Sequence, residues 1–516
     1  MPNIHFPQRS LVKFKVPLCI LILSLVLITP TQNAYSDSSG WETLAPGIDY
    51  QEFRLPGPRR VFVARMDRSA ENVILDTSIA QGALGQGKET VSGMAERYDQ
   101  AINNWGETWG NRNHVVVAIN GSFHNSGTGI PHGGMIHSGW YAVPYPNWES
   151  VSGFVWKQDR SAFIGECVNH ESTNQRFTNL YNGESRRING INREPEEHEL
   201  VVFTPQYIRE TSGENTGVEV LVELTRPLGI VPLPEMILGI VREVREDDAP
   251  IPIPFDHIVV SGDGRSAEAL LENYRVGAVV GLSMEITHLQ EDCRRSHPLE
   301  WTNAYASLGG GFIFLKDGEI QYFDDPGANN RHPRTAICYN DEFIFFVVVD
   351  GRNDAYSLGM SVTQLATFCR DTLEATWGIN QDGGGSSTMW VNGEVVNSPS
   401  DGSEREVANG MMMIVVEPME RSLTFWPGER VIAQQTTNIY LGPGNYAPIA
   451  SVAKNTKGII LPHINYTNGI LAKGTYWWKV DFEGIVGWIV EDALDLANPR
   501  SMISAIFGWG INTDGN

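Results

Sequence analysis

The stretch INQDGGGSSTMWVNGEVVN, Ile379–Asn397, joins an apolar start to three glycines, three hydroxyl residues and a second apolar run around Asn-Gly. In order, it reads as a strand end, a loop and a hairpin. Asn392-Gly393 is the signal for a tight turn between antiparallel strands. Gly383, Gly384 and Gly385 are harder to explain, because glycine loses the most conformational freedom when it is ordered. A run of them suits either a tight turn or a backbone that must come close to another group. An anion fits the second case, since successive backbone N–H groups form a concave donor surface. Ser386, Ser387 and Thr388 would add hydroxyl donors. The loop is not the G-x-x-x-x-G-K-[ST] phosphate loop, because it has no lysine.

Working outward, SVTQLATFCRDTL (Ser361–Leu373) places Leu365, Phe368, Cys369 and Leu373 on one helical face. Ser361 and Gln364 fit a capping box at its start. RTAICYNDEFIFFVVVDGR (Arg334–Arg352) predicts two strands joined at Asn340-Asp341, and GMMMIVV (Gly410–Val416) predicts a buried strand. Val91–Asn104 predicts a short helix. HVVVAIN (His114–Asn120) predicts a buried strand that enters the polar stretch NGSFHNSGTGIPHGG, a common place for site residues. Several further apolar runs are bounded by Gly, Pro or Asp-Gly and predict strands and hairpins. Residues 165–200 are polar and read as an insertion or long surface loop. The expected class is α+β: a strand-rich mixed sheet with packed helices.

The chain has 516 residues, 41% of them hydrophobic and 19% charged, which suits a globular core. Its formal charge of −23 argues against a broad nucleic-acid surface. Arg9, Lys13 and Lys15 precede the apolar run Val16–Ile28, and small residues follow near Ser36. This predicts a signal peptide over residues 1–36, too short an apolar run to stay as a membrane span. Its removal takes away three cations and no anions, leaving −23 − 3 = −26. The expected location is secreted or periplasmic. Cys19 lies inside the apolar run. Cys167, Cys293, Cys338 and Cys369 remain, and they match no C-x-x-C metal spacing. For Cys369 a buried free thiol and a bridge fit equally well.

Residues 41–417 form the expected main domain. Pro418–Pro427 reads as a linker, residues 428–497 as a small all-β unit and 498–516 as a tail. In the small unit, NIYLGPG and GWIVEDAL resemble the opening and closing segments of bacterial SH3-like modules, with Tyr440 where that family usually has Arg. The resemblance implies an SH3-like barrel that attaches the protein to a cell-wall or surface polymer.

In the main domain AINGSF (Ala118–Phe123), RTAI (Arg334–Ile337), VDGR (Val349–Arg352), YSLGMSVTQLATF (Tyr356–Phe368), INQDGGGSST (Ile379–Thr388) and NSPSDGSEREVAN (Asn397–Asn409) occur in one order. Together they resemble the phosphodiester glycosidase family. Gln381 departs from the family's commoner Leu, and NGSF from its usual second Gly. The resemblance implies hydrolysis of the glycosidic bond in a sugar phosphodiester, and no metal or cofactor is expected.

The chemistry of that reaction selects the candidate residues. Cleavage at the anomeric carbon passes through an oxocarbenium-like state, normally flanked by two carboxylates. Asp350 and Asp382 each close an apolar run. A phosphate leaving group needs charge neutralisation more than protonation, which makes Arg334 the third catalytic candidate and Arg352 and Arg405 candidates for binding. Asn120, Gly383, Gly384, Gly385, Ser386, Ser387, Thr388 and Asn409 complete the expected binding set, with His132 as a candidate base and Glu404 as a further carboxylate. Cleavage at phosphorus is one alternative, and it usually uses a metal cluster for which no H-x-H or D-x-H pattern is present. A non-catalytic glycan-binding protein of the envelope is the other.

Overall fold

The computed structural model describes residues 40–98, 103–105, 108–145, 152–157, 159–166, 168–169, 175–207, 211, 217–225, 236–246, 251–283, 287–288, 304–418, 421–444, 448–462, 468–472 and 474–498. The expected signal peptide and tail, Cys167 and Cys293 lie outside them. The chain is strand-rich, with few helices.

The sheet that carries most of the site is eight-stranded. Its central strands are Arg59–Asp67, Phe343–Val349, Arg334–Tyr339 and Trp377–Asn380, side by side and antiparallel. The run FIFFVVV shows no polar alternation because both of its faces are buried. Ile344, Phe346 and Val348 join the large inter-sheet core, while Phe345, Val347 and Val349 pack with the helix Val362–Leu373. That helix begins as expected: the Ser361 hydroxyl accepts from Gln364 N, and Gln364 returns a bond to Ser361 N.

The large core lies between this sheet and two others. One is built on Thr108–Asn120 and Asn409–Pro418, flanked by Val73–Ile79 and by the hairpin Met389–Val391 to Glu394–Val395. In that hairpin both Asn392 and Gly393 have positive φ, 44° and 102°, the pair that a type I′ turn requires. The other is five-stranded and includes Ser152–Lys157 and Ala304–Gly310. The helix expected over Val91–Asn104 spans only Val91–Tyr98, and Asn103–Trp105 is a strand.

The stretch read as an insertion or long loop is instead partly sheet. Arg176–Asn179, Ser185–Arg187 and Gly190–Ile191 join a second eight-stranded sheet with Val218–Leu224, Ile237–Arg245 and His257–Gly262. Its polar residues misled because edge strands and hairpin tips face solvent. The last described residues form a further eight-stranded sheet from Arg430–Ala433 to Leu494–Leu496. Phe425 and Trp478 meet edge-to-face in its core, so the segment read as a linker packs on this sheet. Ile470, Ala472, Trp477 and Trp488 of the C-terminal sheet share a core with Val220 and Val222 of the second eight-stranded sheet and with Phe255, which precedes one of its strands. At their junction Lys479 Nζ bonds Glu223 Oε1 at 2.9 Å and Asp256 Oδ2 at 3.2 Å, all three groups buried.

Candidate active site

Strand pairing brings two distant loops together. Asn120 ends one strand, and Asp382 follows another. The Asn120 amide donates to the Asp382 carbonyl at 2.7 Å, and its oxygen accepts from Thr335 Oγ1 and Thr388 N. Asn120 is fully buried, so its side chain fastens the glycine loop to both sheets. Asn409 does similar work one strand away, accepting from Ser122 N and Oγ.

The loop's own N–H groups are mostly engaged. Asp382 N bonds Gly121 O, Gly384 N bonds Pro333 O, and Ser386 and Ser387 close a short 3-10 turn. The expected cradle of free backbone donors is therefore largely absent, and Gly383 is needed for another reason: a Cβ there would lie 2.8 Å from the Pro333 carbonyl oxygen. Gly384 has φ +65°, and a Cβ there would meet Arg352 Nη2 at 2.9 Å. A Cβ on Gly385 would overlap Arg405 Nη2 and Asp401 Oδ2. Two guanidinium groups thus lie where side chains would otherwise be. Arg352 itself has φ +63°, a conformation that costs a non-glycine residue about 1–2 kcal/mol. Its exposed side chain is anchored by one long bond, to Ser400 Oγ at 3.4 Å. Arg405 is held by Asp401 at 2.6 Å and reaches Ser386 Oγ at 3.5 Å.

The two candidate carboxylates have unlike surroundings. Asp382 is mostly buried, and burial raises its carboxyl above the usual range; the Ser386 hydroxyl, His124, Arg405 and Gly383 N–H pull the other way. His124 Nδ1 lies 4.0 Å from Asp382 Oδ2. Burial lowers the pKa of His124 and Asp382 opposes this. Asp350 is also raised by burial, but its oxygens are occupied: Asn397 Nδ2 donates at 2.9 Å and Ser398 N at 2.9 and 3.1 Å. The same Asn397 amide bonds Ser387 O at 3.0 Å, so Asp350 holds the loop from behind.

Arg334 points into the protein. Its Nε donates to Met360 O at 2.9 Å and its Nη2 to Gly327 O at 2.6 Å and Asn330 O at 2.9 Å. Burial lowers its pKa to about 10. Glu404 bonds Ser92 N and Oγ at the start of a helix. His132 is exposed, and its N–H bonds Phe123 O. His124 was missed by sequence reasoning; its one signal was membership of the polar stretch after Asn120.

Gln381 is 0% exposed, and neither end of its amide has a hydrogen-bond partner; Ser387 Oγ and Thr388 Oγ1 share this condition. An unpaired buried amide costs about 1–3 kcal/mol on protein scales. Gln381→Leu, similar in size, is therefore expected to raise stability by about that amount, read by chemical denaturation. A loss of stability would mean that the amide is satisfied in solution.

Fold and site together define a strand-rich protein whose strand ends gather a carboxylate, a histidine and two arginines on one glycine loop. The sequence model of the phosphodiester glycosidase family matches residues 246–414. That segment holds Arg334, Asp350, Arg352, Asp382, the glycine loop, Arg405 and Asn409; Asn120 and His124 lie outside it. No curated protein sequence matches the chain. Among solved structures, a hypothetical protein from Synechocystis aligns with TM-score 0.50 at 16% identity, covering 72% of this chain. This chain spans 62% of that protein's length, and the likeness is one of fold. A Burkholderia pseudomallei structure aligns at 20% identity and TM-score 0.47, covering 69% of this chain and 74% of its own. The catalytic domain of zebrafish N-acetylglucosamine-1-phosphodiester alpha-N-acetylglucosaminidase, auto-inhibited by its pro-peptide, aligns at 14% identity and TM-score 0.35, covering 74% and 86%.

Proposed function

We propose that the protein is an exported hydrolase that cleaves the glycosidic C–O bond of a sugar 1-phosphodiester. The observation that carries this reading is the glycine loop itself: Asp382 and His124 4.0 Å apart, with Arg352 and Arg405 packed on bare glycines beside them. In this reading the ionised Asp382 stabilises positive charge at the anomeric carbon as the C–O bond breaks. Arg352 and Arg405 neutralise the departing phosphate. His124, neutral near pH 7, takes a proton from the attacking water. Asp350, Arg334, Asn120 and Asn409 act as positioning residues, and Gly383, Ser386, Ser387 and Thr388 shape the loop.

Hydrolysis of a sugar 1-phosphodiester in oxygen-18 water tests it. Label in the sugar supports cleavage at carbon. Label in the phosphate means a phosphodiesterase, and no product means a binding protein; either overturns the reading. The pH profile is a second test. Activity should fall as pH drops through the raised Asp382 pKa, because the ionised form is the working one. His124 lowers that pKa. His124→Gln should slow turnover and change the acid limb of kcat/KM, because in the wild type both Asp382 and the base His124 must be unprotonated and the ring lowers the Asp382 pKa only once it is charged. An unmoved limb would uncouple the two residues.

The N-terminal apolar run is the basis for proposing export, and the segments around Thr437–Tyr440 and Ile485–Val490 are the basis for proposing that the C-terminal sheet is an SH3-like barrel that binds an envelope polymer. Among the described residues no helix is long and apolar enough to cross a membrane.

A further inference from the structure

Cys338 lies on the strand Arg334–Tyr339, and Cys369 on the helix packed across it. Their Sγ atoms are 2.9 Å apart, and both residues are 0% exposed. The two thiols are unbonded in this structure, yet they sit closer than the about 3.5–4.0 Å of carbon atoms in contact, and within about 1 Å of a disulfide's length. Their surroundings are apolar: Ala336, Val347, Leu365 and Ala366 belong to the same core. The packing brings the two side chains together.

We infer that Cys338 and Cys369 are joined by a disulfide in the oxidised protein. The bond forms by exchange with a small-molecule disulfide such as oxidised glutathione. The thiolate of one cysteine attacks the small disulfide, giving a mixed disulfide and releasing one small thiol. The second cysteine then attacks the protein sulfur of the mixed disulfide, forming the S–S bond and releasing the second small thiol. Both cysteine protons end on the released thiols, and the two electrons pass to the oxidant. The thiolate is the attacking species, and burial holds the Cys338 thiol well above its usual value. Exchange therefore takes place before the helix docks. Once docked, the bond is shielded from reductants.

The link spans 31 residues, a segment that contains Asp350 and Arg352. It ties the helix to the strand that starts at Arg334. Met360, two residues before that helix, supplies the carbonyl that holds Arg334 Nε.

The test is to refold the full protein with a glutathione redox pair, and in parallel with dithiothreitol. Each sample is unfolded in excess alkylating reagent and digested without reduction for mass spectrometry. The expected result is one peptide pair linking Cys338 to Cys369 in the oxidised sample, and a higher melting temperature than the reduced sample shows. A native oxidised sample should also keep the link under dithiothreitol until denaturant is added. Cys369→Ser should remove the melting difference. If that variant fails to fold, the wild-type peptide map still decides. Alkylation of both residues in the folded, glutathione-treated protein, or a bond from either to another cysteine, overturns the assignment.

Discussion

Asp382→Asn is expected to lower kcat at least a hundredfold while leaving substrate affinity and melting temperature nearly unchanged. A hundredfold loss corresponds to about 2.7 kcal/mol, the lower end of what one preorganised electrostatic group supplies. The Ser386 hydroxyl and Gly383 N–H bond the carboxylate, and the Asn side-chain oxygen can accept in its place, while two backbone anchors of the loop are independent of the side chain. Asp382 N is held by Gly121 O, and its carbonyl by the Asn120 amide. Stability should not fall, and the sign can be worked out. Burial raises the folded-state pKa of Asp382, so above that value the ionised group weighs against the fold. Asn removes that burden at neutral pH. If Asp382 were a turn residue only, Asn would serve equally well. Retention of more than about half of the wild-type kcat, measured on a soluble sugar phosphodiester, would remove Asp382 from the chemistry.

Lys479→Ala should destabilise the protein by about 3–5 kcal/mol, because it leaves two buried carboxylates without their cation. Arg242 still bonds Glu223, and His257 still bonds Asp256 at 2.6 Å, but the ammonium that touches both acids is gone. Burial alone would lower the Lys479 pKa, and Asp256 and Glu223 outweigh it, so the value is raised. Its contribution is fully present below the unfolded lysine value and is lost as pH rises through the raised one. For Glu223 burial acts upward, and Lys479 and His257 outweigh it, so its pKa is lowered. Its contribution is lost as pH falls through that lowered value. The lock therefore holds across the neutral range. Denaturant unfolding of the variant measures it, and a loss below about 1 kcal/mol would show that water reaches the junction. For the same reason a chain cut after Pro418 should be unstable: the cut removes Lys479 together with Ile470, Ala472, Trp477 and Trp488 from a shared core.

Local chemistry made part of this protein readable from sequence. The capping box at Ser361, the stripe Leu365–Phe368–Cys369–Leu373, the Asn392-Gly393 turn and the doubly buried run FIFFVVV each follow from rules that act within a few residues. Their elements stand where the spacing put them. The motif order also marked the loop at Asp382. What only the tertiary structure decided depends on partners far away in sequence. Asp350 and Asp382 look alike as carboxylates after strands, yet Asn397 and Ser398 occupy one while His124, 258 residues before Asp382, stands beside the other. Arg334 and Arg405 look alike as cations, yet three carbonyls turn the first inward. Gly383 is bare because the Pro333 carbonyl lies where its Cβ would be, and Gly384 because its φ is +65°, reasons that no reading of Gly-Gly-Gly contains. The C-terminal sheet read as a small unit behind a linker because a salt bridge and a shared core between residues 256 positions apart, Glu223 and Lys479, leave no local pattern. Periodicity records which face of an element is buried; the identity of what buries it is set when the chain folds.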